Sequence, residues 1–271
     1  MNLKDKIKSA EQHYRGSLED FFTSNYPAEY IFSHGIGHHR RVWGYAKELL
    51  DHISRDHGTD DLLFIQKLLI SCYLHDIGMA VDPGPRHGQH SRVLCQKFLQ
   101  ENNINQADYK DVLDVLENHD NKNYNEVPGE NKLFMLLSIS DDLDAFGNTG
   151  IYRYVEIYLK RGVAFSSIGK LILENAAQRF QNFTAFFRTS PELIEKYQSN
   201  YQVLVSFFKN YNIQAIDYKF NAQNPKGYCG VVEIIADFLN KLTSGQRLTE
   251  RYKPSEDPII QKFLESLSEE E

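Results

Sequence analysis

The stretch that most limits how this chain can fold is Leu68-Leu69-Ile70-Ser71-Cys72-Tyr73-Leu74, which runs straight into His75-Asp76-Ile77-Gly78. A helix of that composition belongs in a core. Burying an imidazole and a carboxylate at its end is costly unless something compensates them. A divalent metal ion is the simplest compensation, because neutral His nitrogen and ionised Asp oxygen are ordinary ligands for such ions. The dipeptide alone means little, since surface His-Asp pairs are common, so the rest of the chain has to supply further ligands.

Periodicity along the chain predicts an all-α protein. The expected helices cover residues 2–24, 38–51, 60–76, 87–99, 105–117, 133–145, 151–160, 168–187, 191–208 and 231–242. Pro191 follows Thr189-Ser190, where proline starts a helix well. Gly147, Asn148 and Gly150 read as an interruption, 217–230 as irregular with room for a short strand pair, and the chain from Arg247 as a charged tail with one short helix at most. The division expected is one helical bundle domain over 1–215 and a C-terminal helical extension with an acidic tail over 216–271.

With 271 residues the chain can bury a substantial core. Its formal charge of −7, without a Lys/Arg cluster interleaved with aromatics, argues against nucleic acid as a partner. No apolar run reads as long enough for a bilayer, and Met1-Asn2-Leu3-Lys4-Asp5-Lys6 lacks a signal-peptide core. Cys72, Cys95 and Cys229 read as reduced core thiols, so a cytoplasmic protein away from membranes is expected. Oligomeric state is left open.

Four separated elements place a potential ligand on a buried face, since side chains three, four and seven apart share a helix side. His38 begins the stripe of Val42, Tyr45 and Leu49; His75 and Asp76 continue Leu68, Leu69 and Cys72; His119 continues Val112, Val115 and Leu116; Asp141 continues Phe134 and Leu137. His39, about 100° around the helix from His38, reads as solvated, and Asp142 as one residue off its stripe. His90, His13, His52 and His57 read as surface residues.

His38-His39-Arg40-Arg41-Val42, then Leu74-His75-Asp76-Ile77-Gly78, then Ser140-Asp141-Asp142-Leu143-Asp144-Ala145-Phe146-Gly147 resembles the HD superfamily of metal-dependent phosphohydrolases. His87-Gly88-x-x-Ser91 flanks the His-Asp pair in the same likeness, which spans about residues 30–155; Gly147 after Leu143-Asp144-Ala145-Phe146, then Gly150-Ile151-Tyr152-Arg153, resembles a branch of small bacterial members. The resemblance implies a metal held by His38, His75, Asp76 and Asp141, with Mn, Mg, Fe, Zn, Co and Ni all admissible. Some members hold a second metal through extra histidines; here His87 and His119 are the positions for it. Each has an alternative, a satisfied core histidine for His119 and an exposed helix-start histidine for His87, and both are alternatively proton donors or substrate contacts.

The expected chemistry is attack of activated water on a phosphate ester or anhydride of a small substrate, with a nucleotide favoured. Asp76, His87, His119 and Asp144 are the catalytic candidates, Asp144 by orienting a ligand or substrate group. His34, Arg41, Arg86, Lys122 and Arg153 are candidates for substrate binding. Tyr124, Phe146, Tyr152 and Tyr154 could stack on a base, although aromatics are more often core. Two further readings stand beside this one. A dinuclear iron oxygenase would need His87 and His119 both to ligate, and a non-catalytic module would bind a nucleotide without turnover.

Overall fold

The computed structural model describes residues 1–26, 31–57, 59, 61–120, 131–220, 224–241 and 247–270, and among them the secondary structure is helical with no strand. The chain divides into two compact units, Met1–Leu143 and Asp144–Glu271. The 215/216 division expected from sequence falls inside the second unit.

The first unit is built on α1 (Leu3–Asn25), α2 (Ile36–His57), α3 (Leu62–Leu74), α4 (His87–Glu101), α5 (Lys110–Asn118) and α6 (Lys132–Leu143). Asn2 caps α1 by accepting from Asp5 N at 2.9 Å. α3 lies at the centre, packed on α1, α2, α5 and α6. Leu68, Leu69, Ile70, Cys72 and Leu74 have no exposed surface, which explains why the C-terminal half of this helix is so apolar. Contrary to the sequence expectation, Leu62–Ala80 is long and apolar enough to cross a membrane by composition. It is instead a core element, with 72 % of that window buried in the fold.

Glu19 of α1 ties this unit together from outside. It accepts from Arg15 Nε at 2.9 Å, Arg40 Nε of α2 at 3.0 Å and the Tyr73 hydroxyl of α3 at 3.1 Å. The Arg40 hydrogen bond leads the interactions that hold its carboxyl down at about 2, against burial, which opposes them. A depressed acid contributes stability that is present above its ordinary value of 4.5 and lost as the pH falls through about 2. Glu19→Gln should therefore cost about 1 kcal/mol at neutral pH. Urea denaturation at pH 6 and pH 3 checks it: the variant should lose less stability on acidification than the native protein, and equal losses would contradict the network.

The second unit contains α7 (Gly147–Lys160), α8 (Phe165–Phe186), α9 (Pro191–Gln214), α10 (Gly227–Asn240), α11 (Leu248–Tyr252) and α12 (Pro258–Glu270). Two expectations are corrected here. The glycines read as an interruption form the first turn of α7: Gly147 takes φ 71°, and a Cβ on Gly150 would lie 2.1 Å from the Ala145 carbonyl oxygen. The C-terminal segment is also no mere tail. Ile260, Phe263, Leu264 and Leu267 are buried at helical spacing, and α12 packs on α10, α7 and α11. Asp257 starts it by accepting from Ile259 N and Ile260 N at 3.0 and 3.1 Å. Cys72, Cys95 and Cys229 are buried free thiols, as expected.

Candidate metal centre

α3 ends at Leu74, its ladder closing with His75 N on Ser71 O at 3.0 Å. Asp76 then turns (φ −105°, ψ 6°) into a short 3-10 segment, Ile77–Ala80. The turn presents His75 and Asp76 at the inner end of a buried helix, where His75 has no exposed surface and Asp76 only 3 %.

Donor atoms of His38, His75, Asp76 and Asp141 lie within 4.8 Å of one another, and all four residues are buried. His38 Nε2 and His75 Nε2 stand 3.1 Å apart. Asp76 Oδ2 is 3.6 Å from the first and 3.4 Å from the second, while Asp141 Oδ1 is 3.7 and 3.8 Å from them. The His75 ring is oriented by its other nitrogen, Nδ1, 3.1 Å from Cys72 O. A carbonyl only accepts, so Nδ1 carries the hydrogen and neutral His75 aims a bare Nε2 at the cluster. Two nitrogens and two carboxylates converging in a buried space are a donor set that fits a divalent cation. Without one, a proton takes that role. Burial opposes a charged His75, yet the Asp76 and Asp141 carboxylates outweigh it and push its pKa up to about 9. For Asp76 burial likewise opposes ionisation, and the surrounding His75, His119 and His38 hold it well below the usual carboxylate range.

A second group forms on the other oxygen of the same carboxylate. Asp76, His87 and His119 bring their donor atoms within 4.8 Å of one another. His119 Nε2 is 2.9 Å and His87 Nε2 is 3.4 Å from Asp76 Oδ1, and the two nitrogens are 3.2 Å apart. Both rings are hung as His75 is, by Nδ1 on the carbonyl three residues back: Leu116 O at 2.7 Å for His119, Gly84 O at 2.7 Å for His87. At 1 % exposure His87 is not a solvated helix start. Burial opposes its protonation, but Asp76 outweighs that and raises its pKa.

Two glycines make this group possible. A Cβ on Gly78 would lie 2.1 Å from His87 O and 2.4 Å from Ser91 N, and a Cβ on Gly88 would lie 2.5 Å from Glu117 O. Gly78 thus lets the segment after Asp76 sit on α4, with Gly78 N donating to Ser91 Oγ at 2.9 Å, and Gly88 lets α4 close on α5.

The other sequence candidates fall out differently. His34 is buried, holds Ser33 Oγ with Nδ1 at 2.9 Å, and sets Nε2 3.7 Å from Asp76 Oδ2. Arg41 extends from α2 so that its Nη1 lies 3.5 Å from where a Cβ on Gly37 would be. Lys122 and Tyr124 fall outside the described residues. In the second unit, Arg153 Nη1 donates to Asp144 Oδ2 at 2.9 Å, so those two candidates form one buried ion pair. Arg86 is exposed beside Asp82, 3.3 Å away.

Two expectations fail. Asp142 is fully buried, because α6 is enclosed on nearly every side from Leu133 to Leu143. His39 is fully buried too, against Phe22 of α1 (4.5 Å between ring centres) and with Nδ1 3.0 Å from Cys72 O. Burial first, and the neighbouring His38 and His75 second, hold it well below the usual histidine range, so it is neutral. The missed signal was a second stripe on α2, His39, Trp43, Ala46 and Leu50, all at most 2 % exposed.

A cavity of about 680 Å³ in the second unit, lined by Lys226, Tyr252, Pro254 and Asp257 among others, includes none of the cluster residues. Its size does not make it the chemical centre.

Residues 35–145 match the family model described as HD domain. Comparison with curated proteins and with solved structures finds no match.

Proposed function

An HD domain thus occupies residues 35–145, a domain that points to the metal-dependent hydrolases, and from that premise we propose that this chain is a phosphohydrolase. It cleaves a phosphate ester or anhydride bond of a small substrate, with a nucleotide the favoured class. The observation that carries this reading is the position of Asp76. Its Oδ2 faces His38 and His75, and its Oδ1 faces His87 and His119. His38, His75, Asp76 and Asp141 would hold one divalent ion, and His87 and His119 a second through the same carboxylate.

Such an ion supplies positive charge for a phosphoryl oxygen and acidifies water for attack. The chain's own residues do the rest. Asp76 would orient the water through the oxygens it turns toward the two histidine groups. The hung imidazoles keep their Nε2 atoms aimed inward without rearrangement. His34, at the Asp76 Oδ2 side, is placed to contact a substrate oxygen.

Counting metal ions per chain by elemental analysis, followed by a phosphate-release panel of nucleotides on the same sample, tests the reading. At least one transition ion with phosphate release supports it. The convergence of His87 and His119 on Asp76 also favours a second reading, a dinuclear iron oxygenase. Two irons per chain with oxygen consumption and no phosphate would select that one. No metal even after adding manganese would remove both.

A further inference from the structure

His39 is next in sequence to the ligand candidate His38, is fully buried, and has an Nε2 without a hydrogen-bond partner among the described residues. Its Nδ1 is not idle. It reaches Cys72 O at 3.0 Å, the same carbonyl that takes His75 Nδ1 at 3.1 Å. That carbonyl is one of those a helix end leaves outside the ladder, because the last backbone bond of α3 runs from His75 N to Ser71 O. A carbonyl oxygen has two lone pairs, and here two imidazole N–H groups from two different helices occupy them.

We propose that His39 is a positioning residue for the metal centre, fixing the Cys72 carbonyl from which the His75 ring is hung. The geometry makes it a strut. Its ring is wedged between Phe22 of α1, at 4.5 Å, and His75, at 5.0 Å between centres. Its backbone belongs to the helix that carries His38. One side chain therefore registers the end of α3 against α1 and α2, and so sets where His75 Nε2 meets His38 Nε2. Ligand orientation of this kind is worth about 10–100-fold in metal affinity.

The inference rests on the metal reading above, and the experiment separates the two. Full-length native protein, His39→Phe and His39→Asn are stripped of metal and titrated with Mn²⁺, then with Co²⁺ while the visible spectrum is recorded; Tm is measured for each. Phenylalanine keeps the ring against Phe22 but has no donor, whereas the asparagine amide can place an N–H near the Nδ1 position. His39→Phe should bind Mn²⁺ about 10–100-fold more weakly. His39→Asn should return to within about threefold of native and keep the Co²⁺ spectrum, whatever the Tm values do.

Equal Mn²⁺ affinity in all three overturns the role of His39. So does a His39→Asn protein that binds as weakly as His39→Phe with an altered Co²⁺ spectrum, because that makes His39 a ligand, its nitrogen lying within 4.8 Å of those of His38 and His75. If His39→Phe does not fold, the asparagine variant decides alone: near-native affinity upholds the proposal and a loss beyond tenfold ends it. Failure of the native protein to bind either ion instead strikes the metal reading itself.

Discussion

Alanine at position 76 should empty the centre of metal and lower phosphate release on the order of 10³-fold or more. The size of the effect follows from the shared use of this one side chain. Asp76 provides an oxygen 3.4–3.6 Å from the His38 and His75 nitrogens and another 2.9–3.4 Å from those of His119 and His87. Removing it takes a charge from both groups at once, since Asp76 belongs to both. Asp76→Asn keeps the volume and loses the charge, so it separates a packing defect from a ligand defect. In the native protein the metal must displace a proton from His75, whose pKa stands near 9 when no metal is bound. Apparent affinity should therefore rise with pH, by at most about tenfold per unit, and level off above about 9. In Asp76→Asn any residual binding should show a flatter slope, because one of the two carboxylates that raise His75 is neutralised. Metal retained at native stoichiometry in Asp76→Ala would refute the assignment.

Gly78→Ala should be nearly as damaging, through packing alone. The added methyl meets backbone atoms, His87 O at 2.1 Å and Ser91 N at 2.4 Å, and backbone cannot swing aside as a long side chain can. Separating the segment after Asp76 from α4 should cost about 3 kcal/mol or more, lowering Tm by roughly 6–12 °C. It should also pull His87 away from Asp76, so any second metal is lost before the first. Gly16→Ala is the control. Its Cβ would have nothing within 4 Å, and it lies inside α1, so alanine there should stabilise by about 0.5–1 kcal/mol. A Gly78→Ala protein melting within a degree of native would show that this contact does not constrain the fold.

How much of this was visible in the sequence depends on what each feature needs in order to be seen. The C-terminal half of α3 announced itself because a stretch of helix buried on all sides has to be apolar on all sides. His38, His75, His119 and Asp141 could be aimed inward from spacing alone, each lying three, four or seven residues from apolar neighbours. Spacing along one helix says nothing about which oxygen of a carboxylate faces which partner. The division of Asp76 between two groups therefore appeared only in three dimensions. The same limit hid Gly78 and Gly88, whose value lies in backbone from another helix. His39 and α12 are different, because their signals were present: one stripe on α2 was hidden behind another, and the apolar series Ile260, Phe263, Leu264 and Leu267 was masked by the glutamates around it.

A carboxylate with one oxygen in each of two ligand groups has a thermodynamic consequence. The groups cannot fill as independent compartments. An ion held by His38, His75, Asp76 and Asp141 would act through that one carboxyl on the oxygen that faces His87 and His119. Whatever factor the first ion imposes on the affinity for a second, the second must impose on the first, since the coupling free energy belongs to the pair. With an ion in each group, loading would be a function of both occupancies, and a binding curve fitted with two separate constants would misstate each of them.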